Sequence, residues 1–390
     1  MKIALVSPYD FIHPGGVVNH ILALYDQLRE MGHEVRIIAP ASRSVQNEDE
    51  RFLHIGKARP LPVRGTTIRI SLSLRLASKI KEVLSRENFD IIHLHEPFMP
   101  MLCSAVLRFS DSVNIGTFHA CRGSPGYNFG WPISKLMLCR RRRKLAGKIA
   151  VSKTAMDYAS EHVPGQYTII PKGIDLEHFS PDVLPIERFA DGKINILFVG
   201  RLEKRKGLDH LLKAYHKVKK EHANCRLIVV GPGVRFRRKY EIYVRRHRLA
   251  DVVFVGMVEY DELPRYYKTA DIFCSPATGR ESFGIVLLEA MALGKPVVAT
   301  SIEGYAGVMT DGKEGYLVSP KDDKELARSL MALINDESLR QQMGARGLIT
   351  AREHDWKMIA RRVADYYTEM LIQTSRHKSP LKYEALSVLV

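Results

Sequence analysis

Glu281 and Glu289 stand eight residues apart and bracket the turn Ser282-Phe283-Gly284-Ile285, which opens a short apolar segment running to Leu293. A strand reads just before them, Asp271 to Pro276, and another just after, Pro296 to Thr300. The segment between is helical in pattern, and Gly294 supplies the left-handed residue that ends a helix. The first amides of a helix have no intrahelical partner and carry positive potential, so the Ser282 to Ile285 turn is a place for an anion. Carboxylates on either side accept hydrogen bonds from vicinal hydroxyls. Hydroxyls, phosphate and hydroxyls again describe a nucleotide sugar. The plainer alternative gives Glu281 to the helix dipole alone and pairs Glu289 with a neighbouring arginine.

Three further groups could share that chemistry. The loop Gly200-Arg201-Leu-Glu-Lys-Arg-Lys206-Gly207 joins a strand to a helix and sets two cations, Arg201 and Lys206, where a diphosphate could be held. An exposed basic loop is its bland reading. Gly15-Gly16 opens the first helical pattern, so backbone can approach a ligand there, although paired glycines after a proline are often only a turn. His119 closes the strand Asn114 to His119, at the carboxyl edge where open parallel sheets bind ligands. A single histidine in that position is as often structural.

The elements that must position these residues alternate strand and helix along most of the chain. Strand Lys2 to Ser7, helix Val17 to Met31 and strand Glu34 to Pro40 begin a first doubly wound domain. A basic amphipathic helix from Leu74 to Arg86, carrying Lys79 and Lys81, and the strand Phe89 to Leu94 continue it, while residues 41–68 show no pattern. A polar stretch, 176–192, separates residues 1–175 from a second α/β alternation over 193–356. Three more helical patterns run from Asp322 to Thr374.

No run of 18 apolar residues occurs, so neither a spanning helix nor a signal peptide is expected. Five cysteines without a C-x-x-C pair fit a reducing compartment and buried thiols better than a disulfide framework or zinc site. Lys plus Arg exceed Asp plus Glu by 59 to 43, a net charge of +16. The excess is clustered at Arg140-Arg141-Arg142-Arg143-Lys144 and between Arg235 and Arg248. Such surfaces suit an anionic partner: nucleic acid, a membrane leaflet or a phosphorylated substrate.

Gly15-Gly16, Thr117-Phe-His119, Pro171-Lys-Gly-Ile-Asp175, Arg201 with Lys206-Gly207, and the Glu281/Glu289 pair together resemble the family 4 retaining glycosyltransferases over nearly the whole chain. Ser7-Pro-Tyr-Asp-Phe, Pro14-Gly-Gly-Val with His20, and His95-Glu-Pro97 resemble, within it, bacterial phosphatidylinositol mannosyltransferases. The resemblance implies a GT-B fold: two Rossmann-like, doubly wound parallel-sheet domains facing a cleft, with a C-terminal helix, about 357–390, returning to the first domain. It also implies transfer of a hexose from a nucleoside diphosphate sugar to a lipid at the cytoplasmic membrane face. Under that reading Arg201 and Lys206 hold the diphosphate, Glu281 the sugar hydroxyls and Glu289 the ribose. His119 contacts the sugar near its 6-hydroxyl, and Gly16 lies beside the phosphates. Ser282, Phe283, Gly284 and Ile285 complete the donor turn, and Val258 and Glu259 sit where a nucleobase would be read. Tyr9, His13 and Gly15 fall where an acceptor is met, and Lys79, Lys81 and Arg140 to Arg143 would meet an anionic leaflet. No cofactor is expected, and no D-x-D metal motif occurs.

Some positions depart from the family pattern. Lys172 stands where relatives carry asparagine, and His13 and the Arg140 run leave the acceptor open. UDP-glucose with diacylglycerol, or a soluble acceptor, are the other enzyme readings. A polyanion- or nucleic-acid-binding protein is the reading from charge alone; it leaves the Glu pair and phosphate loops without a purpose, and no RNP, KH or zinc motif supports it.

Overall fold

The structure, a computed structural model, describes residues 1–13, 15–43, 51–63, 66–71, 73, 76–122 and 141–378. They form two compact units. Met1–Gly173 with the chain from Trp356 onward make the first, and Ile174–Asp355 the second.

In the N-terminal unit the order is β1 (Lys2–Val6), α1 (Gly16–Glu30), β2 (Glu34–Ala41), β3 (Phe52–Val63), β4 (Thr66–Ser71), α2 (Ala77–Glu87), β5 (Ile91–His95), α3 (Leu102–Phe109), β6 (Val113–Phe118), β7 (Leu145–Ala150), α4 (Lys153–Ser160) and β8 (Thr168–Ile169). Ile3, Ala4, Leu5 and Val6 are fully buried, as a central parallel strand covered on both faces requires. The sheet runs β4-β3-β2-β1-β5-β6-β7-β8 and is parallel except at β3–β4. Its order reverses between β1 and β5, which makes the loops leaving those strands the ligand edge.

β3 and β4 occupy much of the stretch that shows no pattern in the sequence. Pro60, Pro62, Lys57 and Arg59 mask the alternation of β3, which pairs with β2 only as far as Lys57. Beyond that point β4 is its one partner among the described residues, and a strand paired on one side tolerates proline.

The C-terminal unit continues with β9 (Ile194–Val199), α5 (Leu208–Glu221), β10 (Cys225–Val230), α6 (Val234–Arg246), β11 (Val252–Gly256), α7 (Leu263–Thr269), β12 (Ile272–Ser275), α8 (Ile285–Ala292), β13 (Val297–Thr300), α9 (Glu303–Ala306), β14 (Gly315–Val318), α10 (Asp323–Asn335) and α11 (Glu337–Arg352). Its all-parallel sheet runs β11-β10-β9-β12-β13-β14, so the reversal falls between β9 and β12. α12 (Trp356–Lys378) belongs to the N-terminal unit, where Ile359, Ala360, Val363 and Tyr367 share a core with Ile21, Leu24 and Leu28 of α1.

Among the described residues no helix is long and apolar enough to cross a membrane. Cys103, Cys121, Cys225 and Cys274 are buried free thiols, and Cys139 lies outside the described residues.

Candidate functional site

β9 and β12 lie side by side, so the loops leaving them converge at one sheet edge. Gly207, which ends the first loop, has φ +72, and a Cβ there would stand 1.9 Å from the Pro276 carbonyl oxygen just past β12. Only glycine permits that approach. Gly207→Ala combines a left-handed alanine with a backbone overlap and is expected to lower stability by roughly 3 kcal/mol or more. Urea denaturation reads this as a lower midpoint; an unchanged midpoint would show that the two loops are not pressed together.

The loops carry a network of charge. Lys206 Nζ lies 2.7 Å from Glu281 Oε1, and the Arg205 guanidinium donates to the same oxygen. Arg205 also donates through Nε to Glu203 Oε2 at 2.8 Å, and Glu203 pairs with Arg201 at 3.3 Å. Arg201 keeps about half of its side chain, 53%, in solvent. Burial acts to raise the Glu281 carboxyl, but Lys206 and Arg205 overcome it and hold the group below its ordinary range. Glu281 is therefore an ionised carboxylate between two cations, which goes beyond the helix-dipole role. Nothing in the sequence marks Arg205 out from its basic neighbours. Within a run of four cations in six residues, Arg201 to Lys206, only the fold shows which of them turn toward Glu281.

Glu281 leads through Ser282 and the buried Phe283 to Gly284, whose φ of +97 turns the chain into α8. A Cβ at Gly284 would meet the Tyr305 ring at 2.6 Å, so the start of α8 is set by close packing. Ile285 begins the helix and Glu289 lies about one turn inside, 8% exposed. Its partner is the Tyr267 hydroxyl, which donates to Oε2 at 2.6 Å, and not an arginine. Burial pushes the Glu289 carboxyl up to about 7, against the Tyr267 hydrogen bond and the Lys206 charge. After β11, Val258 packs on the core and Glu259 is exposed. Next to them the Tyr260 hydroxyl is pushed up, by burial and then by the Glu289 charge, which places this turn beside the second glutamate.

The N-terminal unit presents a different chemistry at its own reversal. Gly15, in extended backbone, precedes α1, and Lys172 Nζ lies 3.8 Å from where a Cβ on Gly16 would stand. His13 is tied through Nδ1 to the buried Asp10 at 2.8 Å, and Asp10 also accepts from the Ser42 amide at 3.0 Å. Tyr9 bridges to Ile70 of β4.

His119 follows β6 and is buried beside two histidines from other elements. Its Nε2 is 3.0 Å from Nδ1 of His95 at the end of β5, and its ring packs on His20 of α1 with centroids 4.9 Å apart. The His119 and Ala120 amides each donate to Glu96 Oε1 at 2.7 Å. Below them His93 is fixed between Tyr367 of α12 and Thr117, both at 2.6 Å. Burial holds His20, His95 and His119 neutral, their pKa values well below the ordinary imidazole range. Among the described residues His20 Nδ1, His95 Nε2 and His119 Nδ1 have no hydrogen-bond partner. The three imidazoles offer nitrogens within 4.8 Å of one another, close enough to hold a metal ion; the Lys172 charge acting on His20 and His119 opposes a cation there. From the sequence only His119 of the three takes a ligand role, while His20 and His95 enter as marks of the family resemblance. The other two come from a helix and a neighbouring strand, and the alternation His93-Leu-His95 was the signal available.

On α2, which begins at Ala77, Lys79 and Lys81 are exposed, and Lys81 Nζ sits 4.8 Å over the Phe109 ring. Arg141 and Arg142 are half-buried and Arg143 is exposed; Arg140, like Leu74 and Arg75, lies outside the described residues.

Residues 14–178 match the family described as Glycosyltransferase Family 4, and residues 181–350 the one described as Glycosyl transferases group 1. The chain is 33% identical over 380 residues to a phosphatidyl-myo-inositol mannosyltransferase of Mycobacterium leprae, covering 96% of this chain and 99% of that one. It is 34% identical over 379 residues to the enzyme of the same name from Propionibacterium freudenreichii, covering 94% and 95%. Among solved structures it is similar to sucrose-phosphate synthase from Thermosynechococcus elongatus, with a TM-score of 0.75, 22% identity and coverage of 95% and 99%. It is also similar to WaaG, a glycosyltransferase involved in lipopolysaccharide biosynthesis, with a TM-score of 0.68, 18% identity and coverage of 94% and 99%. At these identities the shared property is the GT-B fold of two Rossmann-like domains.

Proposed function

The chain belongs to the family 4 glycosyltransferases, a hexosyltransferase by that membership, and from this premise we propose that it moves mannose from GDP-mannose, with retained configuration, to the inositol headgroup of phosphatidylinositol. The reaction would run at the cytoplasmic face of the cell membrane, with the protein bound peripherally. The observation that carries the donor half is the Lys206/Arg205 pair on Glu281 at the strand reversal, with Glu289 one turn into the helix beyond.

In this reading the diphosphate takes the place of Glu281 on Lys206 and Arg205. The freed carboxylate then accepts from the sugar hydroxyls, which exchanges one satisfied set of charges for another. Arg201, half in solvent, closes on the phosphates, and the amides at Ser282 to Ile285 add to the positive potential there. Glu289 accepts from the ribose hydroxyls, and Val258 and Glu259 border the base. The acceptor oxygen bonds to the anomeric carbon on the face from which the diphosphate departs, the bond from that carbon to phosphate oxygen breaks, and the acceptor proton passes to the departing phosphate. The cations stabilise the charge that develops on it. On the N-terminal unit, His119, Tyr9, His13 and Gly16 are the residues to which the family resemblance gives sugar and acceptor contacts. α2 with Arg141 to Arg143 meets the anionic leaflet.

Support for mannose and phosphatidylinositol is the name shared by relatives one-third identical over almost the entire chain. Thermal unfolding with added nucleotides tests the donor. GDP is expected to raise the midpoint more than UDP at equal concentration, by mass action on the folded state. A larger shift with UDP would favour UDP-glucose and a diacylglycerol acceptor instead.

A further inference from the structure

The second basic cluster of the sequence has no place in the donor or acceptor chemistry, and it folds as one helix. α6 runs Val-Arg-Phe-Arg-Arg-Lys-Tyr-Glu-Ile-Tyr-Val-Arg-Arg from Val234 to Arg246. Tyr240, Phe236, Tyr243 and Val244 pack it against the C-terminal core. Successive residues of a helix advance by about 100°, so the remaining positions fall on the opposite face. There Val234, Arg238, Ile242 and Arg246 recur every fourth residue, with Lys239 and Arg245 flanking them, and all six are exposed. Val234 is 86% and Ile242 49% accessible. The single acid of the helix, Glu241, lies at the margin of this face and is paired with Arg237 at 2.8 Å, so it neutralises none of these cations.

We propose that this face of α6 is a phospholipid-docking surface on the C-terminal unit, separate from α2 on the N-terminal unit. Two aliphatic side chains set among four cations match the interface of an anionic bilayer, where the apolar groups enter the acyl boundary and the long basic side chains reach the headgroups. Charge complementarity alone would also admit nucleic acid. The exposed Val234 and Ile242 favour lipid, because phosphate backbones give aliphatic side chains nothing to bury against. The inference goes beyond the transfer reaction and holds whichever hexose or acceptor the chain uses.

The test is co-sedimentation of the full chain with vesicles of phosphatidylglycerol in phosphatidylcholine, and with pure phosphatidylcholine, at low and high salt. A triple charge reversal, Arg238→Glu, Arg245→Glu and Arg246→Glu, is expected to weaken partition onto anionic vesicles by about a hundredfold or more, with little change on neutral ones. The unaltered GDP-induced thermal shift serves as its control for folding. Ile242→Ser, a milder change, is expected to reduce the binding that survives at high salt, where the charges are screened. The corresponding Lys79→Glu, Lys81→Glu variant separates this surface from α2, and the two sets of losses are expected to add. Native partition in the α6 triple variant would overturn the proposal, whether or not hexose transfer is found. So would tighter binding to single-stranded or duplex oligonucleotides than to anionic vesicles at the same salt.

Discussion

Lys206→Ala is expected to weaken binding of a nucleoside diphosphate by about 1.5 to 3 kcal/mol, the range of a charge-assisted hydrogen bond, or roughly ten- to a hundredfold in Kd. Two effects combine. The diphosphate loses a donor, and Glu281 loses the cation 2.7 Å away that, with Arg205, holds its carboxyl ionised despite burial. The double variant Lys206→Ala, Glu281→Gln separates them, because the second change removes the under-compensated carboxylate without restoring the phosphate contact. Calorimetric titration with GDP should find the double variant still weak in binding but recovered in thermal stability. If Lys206→Ala bound GDP as the native protein does, Lys206 would have no part in holding the donor.

Glu289→Gln is expected to move stability and donor affinity in opposite directions, with a pH dependence that identifies the cause. The carboxyl lies near 7 in the folded protein and near 4.5 when unperturbed. A carboxyl raised in the native state leaves stability intact below the unfolded value, and stability is lost as pH rises through the folded value, here between about 4.5 and 7. Above that window the buried charge costs roughly 3 kcal/mol, which glutamine does not pay. The variant should therefore melt higher than the native protein at alkaline pH, and the gap should close in mild acid. Donor binding runs the other way. The ionised carboxylate is the stronger acceptor for ribose hydroxyls, so native affinity should climb as pH rises through about 7, whereas the variant should be weaker and flat. Melting curves that stay parallel from acid to alkaline pH would show that Glu289 does not carry this burden.

That tension between folding and binding was half legible in the sequence. An isolated glutamate in an otherwise apolar helix signals a charge kept at a cost, and its distance from Glu281 suggests an extended ligand. Its partner, Tyr267, sits on α7, twenty-two residues back, and no local pattern names it. The same division holds elsewhere. Strand and helix periodicity with glycine punctuation showed both α/β alternations, and hence that the loops after β9 and β12 matter. What it could not show is the strand order that makes β9 and β12 neighbours and brings Arg205 and Lys206 onto one carboxylate oxygen. His20, His95 and His119 come from a helix, a strand and the loop leaving a second strand, and their grouping is likewise a product of topology. The β3–β4 hairpin is hidden in the sequence for a chemical reason: prolines and cations along β3 leave no alternation to read.

The central claim is that the chain transfers a hexose from a nucleoside diphosphate sugar to an inositol lipid with its configuration kept. Incubating the native protein with GDP-mannose and vesicles containing phosphatidylinositol, then determining the mass and the anomeric configuration of the lipid product by NMR, tests this most directly. One hexose added to the inositol ring, in the configuration of the donor, is the predicted result. A product with inverted configuration, or no lipid-linked hexose although GDP binds and the vesicles are occupied, would contradict it.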